Sequence, residues 1–195
     1  MKYMMKMQAN NFPKRVLTIK DIALIGVMIA TLEAGKTAMN FLPNIEIVTL
    51  FIILYTLFFG KKTIYAIVCF VLLEGCIHGF GLWWIMYLYV WPLLSLFTWL
   101  MRKHASAVNY AFLSGVFGLL FGAFCSLPYL FIGGPKTALS WWVAGIPFDI
   151  VHCISNFLLC LILFKPLYAS GIYPNMERMP QKEIPKISFV NLCHI

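Results

Sequence analysis

The sequence predicts an all-α integral membrane protein, a bundle of six transmembrane helices, and three observations carry that prediction. The chain of 195 residues is 62% hydrophobic and only 11% charged, where a soluble domain holds about 45–50% apolar and about 25% charged residues. Its mean hydropathy is +0.85, and so few charges cannot cover a water-facing surface. Apolar stretches close to the length of about 20 residues that a spanning helix needs recur along the chain, separated by short basic or Gly/Pro segments.

Residues 1–16 are polar and basic, lack the apolar centre of a signal peptide, and read as a cytoplasmic arm. The first apolar stretch covers about 18–40. The second, about 45–60, is short; Asn44 directly after Pro43 is its expected N-cap, and Gly60-Lys61-Lys62 ends it in a tight turn. The third and fourth cover about 62–80 and 82–101, the fifth about 106–132 and the sixth about 140–165. Pro92 and Pro147 fall inside the fourth and sixth and predict local kinks. Residues 169–195, with Pro174, Pro180 and Pro185 among charges, read as a mobile cytoplasmic tail, which leaves 17–168 as the membrane domain.

The net charge is +8, but Lys and Arg sit between apolar runs rather than in one patch, which argues against nucleic acid as a partner. With both termini on one side, 13 of the 15 basic residues share that side and only Lys36 and Lys136 lie on the other. The positive-inside rule then places both ends in the cytoplasm of a cell-membrane protein. The six cysteines show no C-x-x-C spacing, and five lie in apolar runs. They read as small buried hydrophobes rather than disulfide or zinc ligands, and no metal site is expected.

A carboxylate near the bilayer centre costs about 2.5–3.5 kcal/mol on insertion scales, so each intramembrane acid is a candidate. Glu33, Glu46, Glu74 and Asp149 all fall in the half away from the basic side. Glu46 suits a helix start, where the macrodipole favours a negative charge. Glu33 has Lys36 three residues on as a ready partner, the alternative being a ligand contact. Glu74 and His78 share a face at i, i+4, either as a self-satisfied pair or as part of a site. Asp149, His152 and Asn156 form a polar stripe at i, i+3, i+7 on the last helix, the strongest solute-facing candidate. Trp83-Trp84 and Trp141-Trp142 mark an interfacial aromatic belt. Trp84, Tyr87 and Trp91 also share a face, and Trp84, Tyr87 and Trp142 are candidates for holding a planar heterocycle. On the first helix Gly26, Ala30, Ala34 and Ala38 repeat every four residues, either for packing within the chain or for docking a partner helix.

No engine accompanies these groups. The run from Phe59 to Thr63 ends like a phosphate-binding loop, but Tyr55 stands where the first glycine belongs. Neither a G-x-S-x-G elbow nor an H-E-x-x-H motif is present, so no enzyme activity is expected.

Three segments resemble the substrate-binding S components of energy-coupling factor (ECF) vitamin transporters. "LTIKDIALIGVMIATLEAGKTAMNFLPN" is similar to their first helix, "NIEIVTLFIILYTLFFGKK" to their second, and "AGIPFDIVHCISNFLLCLILFKPL" to their last. The resemblance spans residues 17–168 and leaves out the N-terminal arm and the tail, which is long for that family. It implies a six-helix subunit that captures a vitamin or precursor from outside. It also implies partners, a transmembrane coupling (T) component and two cytoplasmic ATPases, with no cofactor in this chain and ATP used by the partner subunits. By the same resemblance Ala30, Ala34 and Ala38 contact the coupling component, Asp149, His152 and Asn156 contact the solute, and the loop from Asn40 to Asn44 gates it. Motifs of the riboflavin, biotin and nickel/cobalt members are absent, and "PNIEIVT" is similar to cobalamin-related members, implying cobalamin or a precursor. Two other readings stand beside this one: an intramembrane metal-dependent or acid–base hydrolase using Glu74, His78, Asp149 and His152, and a small membrane scaffold without a ligand.

Overall fold

The computed structural model describes residues 17–104 and 106–176, which form helices and their connections without any strand. The helices are α1 (Ile19–Met39), α2 (Val48–Phe59), α3 (Lys62–His78), α4 (Leu82–Met101), α5 (Ala107–Leu119) and α6 (Phe121–Met176), with a 3₁₀ turn at Arg102–His104 after α4. The first and fourth agree with the hydropathy reading to within a residue. Residues 169–176, expected in a mobile tail, are helical; the rest of the tail and the N-terminal arm lie outside the described residues.

Local chemistry fixes the starts of two helices. Thr18 and Asp21 form a capping box on α1: the Asp21 N–H donates to the Thr18 hydroxyl (3.2 Å), and the Thr18 N–H donates to the Asp21 carboxylate (3.0 Å). At α5 the Ser106 hydroxyl accepts the Asn109 N–H at 3.1 Å. The start of α2 departs from expectation. Asn44 is not its N-cap; it turns the chain at φ +60°, a conformation Asn tolerates, and its carbonyl accepts the Ser155 hydroxyl at 3.0 Å. Glu46 takes over the helix start, accepting the Thr49 N–H at 2.9 Å. The helix that follows has 12 residues, about 18 Å of rise against a hydrocarbon core of about 30 Å.

Helix α6 is not one rod. Gly134 leaves helical geometry at φ +77°, ψ −177°, a turn open to glycine because it lacks a Cβ. The Gly122 N–H donates to Asp149 at 3.0 Å although 27 residues separate them, a stretch that would span about 40 Å in a straight helix. Tyr129 stacks on Trp141 with ring centroids 5.0 Å apart. The chain therefore reverses at Gly134, and the second arm runs antiparallel to the first arm and to α5. The Ser114–Asn156 and Tyr110–Phe164 contacts continue the same register. Thus the expected fifth helix is α5 plus the first arm, interrupted at Leu120, and the expected sixth is the second arm. The kinks predicted at Pro92 and Pro147 do not interrupt their helices; the breaks fall at Leu120 and Gly134.

Side-chain pairs set the directions of the other helices. Asp21 meets Lys62 at the starts of α1 and α3, and Lys36 meets Glu74 near their ends, so those helices are parallel. Thr56 meets Ser95 at 2.9 Å, aligning α2 with α4. The ends of α1 and α3, the starts of α2 and α4, and the Gly134 turn thus gather at one end of the bundle. Lys20, Lys61, Lys62, Arg102 and Lys103 lie at the other.

The core interleaves Met28 and Leu32 with Ile52, Phe70, Val90, Leu94, Tyr110 and Phe117. The flanks are also apolar: Val27, Leu72, Leu88, Phe112, Ile154 and Ile162 are exposed. A helical protein apolar both inside and on its flanks has lipid as its solvent. Three stretches are long and apolar enough to cross a membrane, Ile19–Met39, Leu82–Met101 and the folded-back Ala107–Ser170. Over its described residues the chain is all-helical, and it is membrane-embedded.

Candidate functional site

Two cavities open at the end of the bundle away from the basic residues, and they share Lys36 and Asn40 as a common wall. The first, about 230 Å³, is roofed by the loop from Met39 to Glu46 and floored by Phe70, Tyr87, Trp91, Phe121 and His152. The second, about 470 Å³, lies between the ends of α1 and α3 and is lined by Glu33, Thr37, Ile77, His78 and Trp83.

The polar edge of the first cavity is a relay linking the α1–α2 loop, α2 and the second arm of α6. His152 Nε2 meets Glu46 Oε1 at 3.2 Å, Glu46 binds both the hydroxyl and the N–H of Thr49, and Asn156 Nδ2 donates to the Thr49 hydroxyl at 3.3 Å. This relay pairs the Glu46 carboxylate, the Thr49 hydroxyl and the Asn156 side-chain N–H, leaving the Asn156 Oδ1 without a partner, and it ties the roof to the floor. The His152 ring also sits 4.9 Å from Phe121, edge to face. Two of the floor rings belong to a ladder, Trp83–Tyr87–Trp91, each neighbouring pair 5.4 Å apart and edge to face, whose Trp83 end lines the second cavity, and Trp91 tilts over Phe121 at 5.8 Å. Trp91 is almost fully buried, and its indole N–H has no hydrogen-bond acceptor in the protein. A buried donor without an acceptor costs about 1–3 kcal/mol, and this one belongs to a residue that lines the cavity.

The predicted polar stripe separates into three roles. Only His152 lines a cavity. Asp149 accepts the Gly122 N–H in the first turn of α6, where a carboxylate compensates a free amide at the positive end of a helix. Asn156 bridges to Thr49. Of the other predicted residues, Tyr87 lines the first cavity, and Glu33 and His78 line the second. Glu74 is fully buried beside Lys36, which takes one of its carboxylate oxygens. Lys36 also lies 5.9 Å above the Tyr87 ring. Its ion-pair partner is thus Glu74, not Glu33 three residues before it: the packing of α1 on α3 brings the buried acid within reach, where an unpaired charge would be costly. Trp84 donates its indole N–H to the Val71 carbonyl at 2.8 Å, and neither Trp84 nor Trp142 lines either of these two cavities.

Sequence reasoning named Glu46 among four candidate acids but favoured its role at the helix start and left it out of the expected site, and it did not single out Thr49. It also passed over Gly118 and Gly122, which hold α5 and the first arm against the second. A Cβ on Gly118 would stand 2.8 Å from the His152 carbonyl oxygen, and one on Gly122 would collide with Asp149. Their spacing on one helical face was the available signal. Gly26, Ala30, Ala34 and Ala38 are all exposed, forming a small-residue strip on the outside of α1. The four residues of the hydrolase reading do not meet at one centre: Glu74 and His78 cluster with Glu33, whereas His152 pairs with Glu46 and Asp149 with Gly122. The five described cysteines are free.

No protein family, curated protein or solved structure matches the chain. Fold and site define its class on their own terms: a membrane-embedded helical bundle with a polar–aromatic cavity at one end.

Proposed function

We propose that the chain is the solute-capturing S component of an ECF-type importer in the cell membrane. On this reading the bundle crosses six times, as α1 to α4, as α5 continued by the first arm of α6, and as the second arm. Both termini are cytoplasmic. The observation that carries the reading is the first cavity: enclosed by a loop on the side away from the basic residues, floored by aromatic rings, and edged by the Glu46–His152 pair. A solute enters from outside and stacks on Tyr87 and Trp91, which line the cavity floor. The Met39–Glu46 loop closes over it. The subunit then reorients as a coupling component, docked on the exposed Gly26, Ala30, Ala34 and Ala38 strip, turns over ATP on two cytoplasmic ATPases.

Size narrows the solute. An apolar cavity of roughly 150 Å³ accepts benzene, so about 230 Å³ suits one substituted ring or a small bicycle. That favours a vitamin precursor of this size over an intact corrin. The test is mass spectrometry of the detergent-solubilised, purified chain. A small heteroaromatic solute should co-purify and be lost in Trp91→Leu. Purification without any solute, together with no uptake when a coupling component and its ATPases are co-expressed, would overturn the reading.

A further inference from the structure

The second cavity carries a feature that solute capture does not use. Glu33 on α1 and Glu74 and His78 on α3 each bring a ligating atom to one place, all within 4.8 Å of one another. The parallel packing of α1 on α3 makes the cluster: Glu74 and His78 are one helical turn apart, and Glu33 faces them across the interface. Proximity alone would say little. A separate observation is that Glu33 Oε2 and Glu74 Oε1 are both shut off from solvent and neither accepts a hydrogen bond. Glu74 is fully buried, and Lys36 satisfies only its other oxygen. Lone pairs of two neighbouring carboxylates left without a donor are costly in a site of low polarity. An opening exists as well, because Glu33 and His78 line the 470 Å³ cavity and His78 is exposed there.

We infer that Glu33, Glu74 and His78 form a binding site for a first-row divalent transition-metal ion, entered from the second cavity. Two carboxylates and one imidazole are a donor set for ions such as Zn²⁺, Co²⁺ or Mn²⁺, with water completing the shell from the open side. Glu74 then uses both its oxygens, one on Lys36 and one on the ion, and the ion clamps α1 to α3 beside the wall that the two cavities share. The site is distinct from the solute cavity and stands whether or not the chain serves an importer.

The probe is Co²⁺ alone, whose visible absorption reports its ligand field. The full chain is purified through a tag without histidine, stripped with chelator and titrated with Co²⁺ in detergent, and metal content is measured after gel filtration. One Co²⁺ per chain is expected, with millimolar Mg²⁺ unable to displace it. Affinity should fall at least ten-fold in both Glu33→Gln and His78→Ala, at a half-buried and an exposed position where folding is not at stake. Asp21→Asn, a carboxylate at the far end of α1, should bind like the wild type. No Co²⁺ retained by the wild type, or retention unchanged in the Glu33→Gln/His78→Ala double variant, would overturn the assignment.

Discussion

Replacing Gly118 by alanine adds one methyl group where the structure has least room for it. The new Cβ would lie 2.8 Å from the His152 carbonyl oxygen, 2.9 Å from its carbonyl carbon and 3.0 Å from the Cys153 nitrogen. These are backbone atoms, with no flexible end that swings aside. Reaching an ordinary contact of 3.4 Å requires α5 and the second arm of α6 to separate by about 0.6 Å. Overpacking of that kind costs about 1–3 kcal/mol, which for a chain of this size lowers the melting temperature on the order of 5 °C. The shift also displaces His152 relative to Glu46 and disturbs their 3.2 Å contact, whose geometry a hydrogen bond holds within narrow limits. Solute affinity should therefore fall about ten-fold, the equivalent of about 1.4 kcal/mol. The matched control is Gly26→Ala, where a Cβ meets nothing within 4 Å. Thermal unfolding in detergent and solute binding are measured on both variants. A Gly118→Ala protein as stable as Gly26→Ala, with wild-type affinity, would refute the claim that close backbone approach positions His152.

Three further outcomes follow from individual contacts. Asp149→Asn keeps an acceptor for the Gly122 N–H and should change thermal stability by less than about 1 kcal/mol, whereas Asp149→Leu strands that amide and should cost about 1–3 kcal/mol, read by the same unfolding assay. Ala34→Leu places a large side chain on the exposed strip of α1; uptake with the coupling partners should be abolished while solute affinity of the isolated chain stays unchanged. In intact cells, an impermeant thiol reagent should label a cysteine introduced at Gly134 and leave one at Lys61 unmodified, and labelling at Lys61 from outside would sink the six-span arrangement.

The sequence by itself determined that the chain is helical and lives in lipid, and where α1 and α4 begin and end. Hydropathy is a local sum over neighbouring residues, and in a bilayer every backbone amide must be paired within its own segment, so an apolar run of sufficient length becomes a helix whatever it packs against. The Thr18–Asp21 capping box is equally local and equally readable. What the tertiary structure decided is which polar group meets which. Glu46 and His152 are 106 residues apart, and Lys36 and Glu74 are 38 apart. Nothing in the spacing of Glu33 and Lys36 reveals that the buried acid on α3 captures the lysine instead. The stripe of Asp149, His152 and Asn156 was legible as a stripe, but the division of labour along it was not, because it depends on how deeply each residue lies between α2 and α5. That depth is set by glycines. Without side chains, Gly118 lets two backbones touch and Gly122 leaves room for the Asp149 carboxylate, and the resulting register turns one polar residue toward the cavity and leaves its two neighbours holding helices together.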